Sequence, residues 1–211
     1  RVVSTVLFET STIHDALGRV AGLASAISAL DALMEERVAN AFNSAGRSRA
    51  ELERAAQLLT LLRPRVPLDV LAELAGTQTA SVRSFISDLG RGLILDAQSV
   101  QFLDEPTETY FRDRHPATQE VAAQAASQLR ALSGSSAYAA SSLPEVLWRA
   151  SLHDELLALV ATDDALPSTS DIERTQVENL RVEFGLRAAV QLRRSDSIVQ
   201  LAMRAGAGRA G

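Results

Sequence analysis

The chain has 211 residues, 46% hydrophobic, 22% charged and only 4% aromatic, with a net charge of −5; such a globular chain fills its core with Ala and Leu, which favours helices over a β-sandwich. All 21 cationic residues are arginine and cysteine is absent, which excludes phosphate-loop, Schiff-base and general-base lysines, disulfides, thiol catalysis, Fe–S clusters and thiolate zinc sites within these residues. The acidic balance gives no support to broad nucleic-acid or anionic-membrane binding, and three His at distant positions make a His-rich metal site unexpected.

Residues 1–47 read as a helical segment. Val3, Leu7, Ile13 and Leu17 fall at mixed helical spacings. Ile27, Leu30, Met34, Val38 and Phe42 form a cleaner stripe along one helix face. Asn43-Ser-Ala-Gly46 supplies a C-terminal stop. The chain opens at Arg1 without a methionine and runs straight into apolar residues, as expected of a piece of a longer protein. No stretch reaches the roughly 20 apolar residues of a membrane helix, and no signal peptide is visible; the expected setting is cytoplasmic.

Residues 48–115 carry the clearest punctuation. Glu51 to Arg63 reads as a helix ended by Pro64, because the residue before proline is pushed out of the α region. Pro67 opens a short second helix that Gly76 closes. Thr77 or Thr79 can cap a third, Ala80 to Leu89, with Val82, Phe85, Ile86 and Leu89 on one face. Gly90 and Gly92 break it, and Leu93–Leu95 and Val100–Phe102 read as two short strands around Asp96-Ala-Gln-Ser99. Helix, helix, turn, helix and β-hairpin is the order of a winged-helix domain.

Residues 116–211 read as antiparallel helix pairs. Pro116 starts a helix to about Leu132; Ala137 to about Ala150 and His153 to Thr162 form a pair; Ser170 or Asp171 caps a long helix to about Leu192; Ser195 to Arg204 is the last, before a frayed tail from Ala205. Asp154-x-Leu156-Leu157-x-Leu159-Val160 recurs 42 residues later as Asp196-x-Ile198-Val199-x-Leu201-Ala202. A period in that range suggests the start of a TPR-like or HEAT-like solenoid. The expected fold is therefore mainly α: a helical segment, a winged helix with a small hairpin, and helix pairs.

A DNA-reading helix presents Arg, Lys, Asn or Gln to base edges. The candidate helix offers only Arg83, opposed by Asp88, and the hairpin carries no cation after Arg91. Asp96 at its tip and Asp104, Glu105 and Glu108 beyond it would repel phosphate. The winged helix is thus expected to pack on protein. No Gly-x-Ser-x-Gly elbow appears. His14, His115 and His153 read as surface or capping residues, Asp163-Asp164 as a solvated helix end, and Trp148 as a core or repeat-interface anchor. No catalytic constellation and no metal site are expected.

Leu61–Gly76, Val82–Ile94 and Phe102–Phe111 together resemble the winged-helix region of bacterial STAND-class NTPases with NACHT-like cores. The resemblance implies an upstream ATPase core using ADP or ATP with Mg, a helical lid at residues 1–47, and TPR-like sensor repeats from about Pro116. It implies a protein ligand for the repeats, oligomerisation on activation and, for many members, defence against phage. The family pattern often has, two residues after the first Phe, a His that touches the nucleotide; Asp104 stands there, and an ionised aspartate cannot donate to phosphate. Asp104 is nonetheless the one candidate cofactor-binding position. The winged helix would turn as a rigid body on the core, with Leu61/Leu62 as its docking face and Arg63–Pro67 or the Gly90–Gly92 turn as contact or hinge. Two other readings stand beside this one: a DNA-binding transcriptional regulator with a helical sensor, and a helical adaptor without a nucleotide link.

Overall fold

The computed structural model describes residues 32, 34–44, 49–162, 166 and 170–207. The expected helices before residue 32, the Gly46 stop, His14, Asp163-Asp164 and most of the loop before Ser170 lie outside them. Helix α1 (34–44) turns Met34, Val38 and Phe42 inward, as the stripe predicts.

The middle of the chain runs α2 (Arg49–Leu61), β1 (Val66–Pro67), α3 (Leu68–Ala75), α4 (Thr79–Leu89), a 3-10 turn (Gly90–Gly92), β2 (Leu93–Leu95) and β3 (Ser99–Phe102). The strands form an antiparallel sheet ordered β1-β3-β2, with Val66 opposite Val100 and Leu93 opposite Phe102. Helix, strand, two helices and a hairpin, with the first strand joining the hairpin, is winged-helix topology. Two residues are too few for β1 to announce itself by alternation. Pro67 does not begin the helix but ends that edge strand and precedes α3, a place where its missing N–H is not needed. Gly76 closes α3 in the left-handed region at φ 74°, as expected. The residue before α4 is Gln78, which makes no side-chain cap; Thr79 is already helical.

Helix α5 (Glu105–Arg114) escaped the periodicity because it buries only Thr107 and Phe111. Helix α6 (Gln119–Leu132) starts three residues beyond Pro116, where the Thr118 hydroxyl can accept from the Val121 N–H. There follow α7 (Ala137–Arg149), α8 (His153–Ala161), α9 (Asp171–Gln191) and α10 (Ser195–Ala207). Ala205 to Ala207 thus extend the last helix and are not a tail. The fold is mainly helical with one small sheet, and a single cluster of buried side chains runs from Met34 to Leu201. Helix α2 packs on α3, α5 and α6; α7 packs on α6, α8 and α9; α9 packs on α8 and α10.

The 42-residue spacing has a backbone counterpart. Ser151 and Arg193, 42 residues apart, both take left-handed conformations at φ 58° and 55°. Leu152 N–H donates to Leu147 C=O as Arg194 N–H does to Ala189 C=O, and Ser151 to Trp148 as Arg193 to Val190. The α7–α8 and α9–α10 corners are therefore built alike, bond for bond, although few side chains match.

Candidate functional site

The face that a winged helix offers to DNA is the exposed side of α4. It presents Arg83, Ser84, Ser87 and Asp88, while Val82, Phe85, Ile86 and Leu89 are buried. The Arg83 guanidinium donates to the Ala97 carbonyl at 3.0 Å, tying helix to hairpin tip. At that tip the Asp96 carboxylate accepts from the Gln98 and Ser99 N–H groups and from the Ser99 hydroxyl. The Gln98 N–H, followed by the Ser99 donors, holds its carboxyl below the usual range. The wing tip therefore carries an ionised carboxylate at neutral pH, which the nearby Arg65 also favours, and the helix's cation is held against the tip's backbone.

The hairpin region also exposes two apolar side chains. Gly92 and Leu103 are opposed through the Leu103 N–H···O=C Gly92 bond, and Ile94 lies opposite Gln101. Ile94 on β2 is 39% exposed, and Leu103, just past the end of β3, is 50% exposed.

Asp104 is exposed and caps α5, its carboxylate accepting from the Thr107 N–H at 2.9 Å. The Thr107 hydroxyl, then its N–H, keeps the Asp104 carboxyl ionised below the ordinary range. A helix N-terminus favours one anion, and here the carboxylate supplies it. Among the described residues no three His, Cys, Asp or Glu gather in a metal-binding group.

Leu61 and Leu62 are 3% and 7% exposed. They pack inside this chain, so the expected docking face there is corrected: α2 is covered by the chain's own downstream helices. The contact is specific. Arg149 of α7 donates to the Thr60 carbonyl at 2.9 Å and pairs with Glu145 at 2.7 Å. The Tyr138 hydroxyl donates to the Arg63 carbonyl at 2.6 Å, and burial raises its pKa far above the ordinary phenol value. Arg54 reaches from α2 to the Leu74 carbonyl and to Gln124 and Gln128 of α6. Clefts of about 270 and 210 Å³ flank Thr60 and Arg149. Arg63, read as part of a hinge, is thus bound to α7 through its carbonyl.

His115, read as a surface or capping residue, is the C-cap of α5 and is half-buried. Its ring lies 5.4 Å from Phe42 and 5.7 Å from Phe111, and Phe42 stacks on Phe85 at 5.1 Å. This cluster joins α1, α4 and α5. His153 begins α8 with its ring 4.8 Å from Trp148, which is partly buried at the α7–α8 corner. No residue-type pattern in the sequence could have brought these rings together, because they come from distant elements.

A scan against protein-family models gives no match, and a search of the curated proteins gives none either. Among the described residues no helix is long and apolar enough to cross a membrane.

Proposed function

We propose that this chain is a non-catalytic regulatory and interaction segment of a STAND-type signalling NTPase acting in the cytoplasm in bacterial antiphage defence. In this reading the helix pairs bind a protein ligand, and the winged helix docks through its hairpin on an upstream nucleotide-binding core of the same polypeptide. The observation that carries it is the reversed chemistry of the winged helix. Ile94 on the hairpin and Leu103 just beyond it are exposed, whereas Arg83 donates to the Ala97 carbonyl and the tip holds ionised Asp96. Exposed apolar side chains suit a protein partner; fixed negative charge beside α4 opposes a phosphate backbone. Arg149 on the Thr60 carbonyl of α2 and Tyr138 on the Arg63 carbonyl beyond it tie the winged helix to the helix pairs, so a ligand on the repeats and a core on the hairpin would bias the same position. The nucleotide belongs to the proposed core and not to residues of this chain.

Two measurements test it. Titration of a labelled duplex at low salt should show no salt-sensitive binding at micromolar protein; such binding would restore the DNA-binding regulator. In the full-length protein, Ile94→Asp with Leu103→Asp should speed ADP release, while α-helical content stays unchanged. Release at the unaltered rate rejects the hairpin as the docking face.

A further inference from the structure

The second helix pair covers the first at points that can be matched residue by residue. Val160 of α8 is 3% exposed and packs on Gly185 of α9. Asp154, in the first turn of α8, pairs with Arg194 at the α9–α10 corner. Arg204 of α10 donates to the Val160 carbonyl at 2.8 Å. Shifted by the 42 residues that relate the two corners, these receiving points become Ala202, Asp196 and the Ala202 carbonyl. Ala202 is exposed where Val160 is buried, and Asp196 is exposed as Asp154 also is within its pair. Around them Val190 and Val199 are 57% and 60% exposed. Their first-pair counterparts for Val190 and Val199, Trp148 and Leu157, are partly buried against the core.

We infer that the α9–α10 face receives a third helix pair of the same repeat. The incoming pair carries glycine or alanine where its first helix crosses Ala202, one arginine paired with Asp196, and a second arginine donating to the Ala202 carbonyl. An apolar patch alone does not name its cover. Here the aliphatic face, the acidic anchor and the carbonyl anchor stand in the register that α9 and α10 already use on α8. Asp recurs at 154 and 196 while most neighbours change. A first-turn acid has a general use at a helix N-terminus, but Asp154 shows its further use, joining one pair to the next. The inference rests on the repeat and is independent of the switching role proposed above.

The test appends a second copy of residues 166–207 directly after Ala207, which places the copies of Arg194 and Arg204 42 residues on. Hydrogen exchange of the α10 amides at 198–203 should slow by at least about tenfold, because they come to lie under a packed helix pair. Sedimentation should show a monomer. Asp196→Arg should reverse most of the slowing in the extended chain, yet leave exchange within about twofold in the original chain. Unchanged α10 exchange, with the appended residues exchanging like unfolded chain, overturns the inference. So does a stable dimer of the original chain that Val199→Asp dissolves, which would make a second copy the occupant.

Discussion

Gly185 of α9 faces Val160 of α8 so closely that a Cβ at position 185 would stand 2.7 Å from Val160 Cγ2, with Leu201 Cδ1 of α10 at 3.4 Å. Three helices therefore meet at a point with room for a hydrogen and little more. Val160 is β-branched and stiff, so it cannot swing aside. Gly185→Leu should lower the urea-unfolding free energy by about 2–3 kcal/mol. Gly185→Ala gains about 1 kcal/mol of helix propensity against its overlap, and should lose no more than about 2 kcal/mol. A leucine variant as stable as the original chain would contradict the close crossing.

Stability should fall as the solution is acidified below pH 6.5. Burial of His115 among Phe42 and Phe111 depresses its imidazole below the ordinary 6.5; Arg114 deepens the depression and Glu53 opposes it. The unfolded chain then takes up the proton first. The contribution is complete above 6.5, declines as pH drops toward the folded value, and levels off below it. Asp96 and Asp104, both lowered from 3.8, lose their contributions only in the more acidic range. His115→Gln should flatten the decline just below pH 6.5 while leaving the acid limb in place, as read from urea midpoints against pH.

Tyr138→Phe removes the hydroxyl that the Arg63 carbonyl accepts from. The ring still fits, but a carbonyl in the seam between α2 and α7 loses its donor. Thermal or urea unfolding should record a loss of about 1–3 kcal/mol. Wild-type stability in this variant would mean that water replaces the phenol without penalty.

Asp104→Ala should cost about 0.5–2 kcal/mol, because the Thr107 N–H loses its acceptor at the start of α5. Asp104→Asn keeps an acceptor there and should stay close to the original stability. If the asparagine form were as unstable as the alanine form, charge at the helix terminus, and not the capping bond, would be the larger effect.

Local chemistry was legible wherever a residue type has a strong backbone preference. Gly76 at the end of α3, Ser170 at the start of α9, and the Met34/Val38/Phe42 stripe all do what glycine, serine and helical spacing require. The hairpin between Leu93 and Phe102 was readable for the same reason. β1 and α5 were not, since one has two residues and the other buries only two side chains. The candidate site was less legible: Leu61 and Leu62 look like any apolar helix face until the packing of α3, α5 and α6 on their helix is seen. Arg83 looks like a free cation until the Ala97 carbonyl is found beside it.

Sequence alone thus determined the composition of the core, the helix ends set by Gly76 and Ser170, and the spacing of 42 residues between two like segments. Tertiary structure decided which carbonyls Tyr138, Arg149 and Arg204 bind, which apolar faces are covered, and where Gly185 must be a glycine. The reason is range: capping and periodicity act within a turn or two of one chain segment, whereas these hydrogen-bond partnerships and that of Arg83 depend on residues 14 to 89 positions away, which only packing brings into contact.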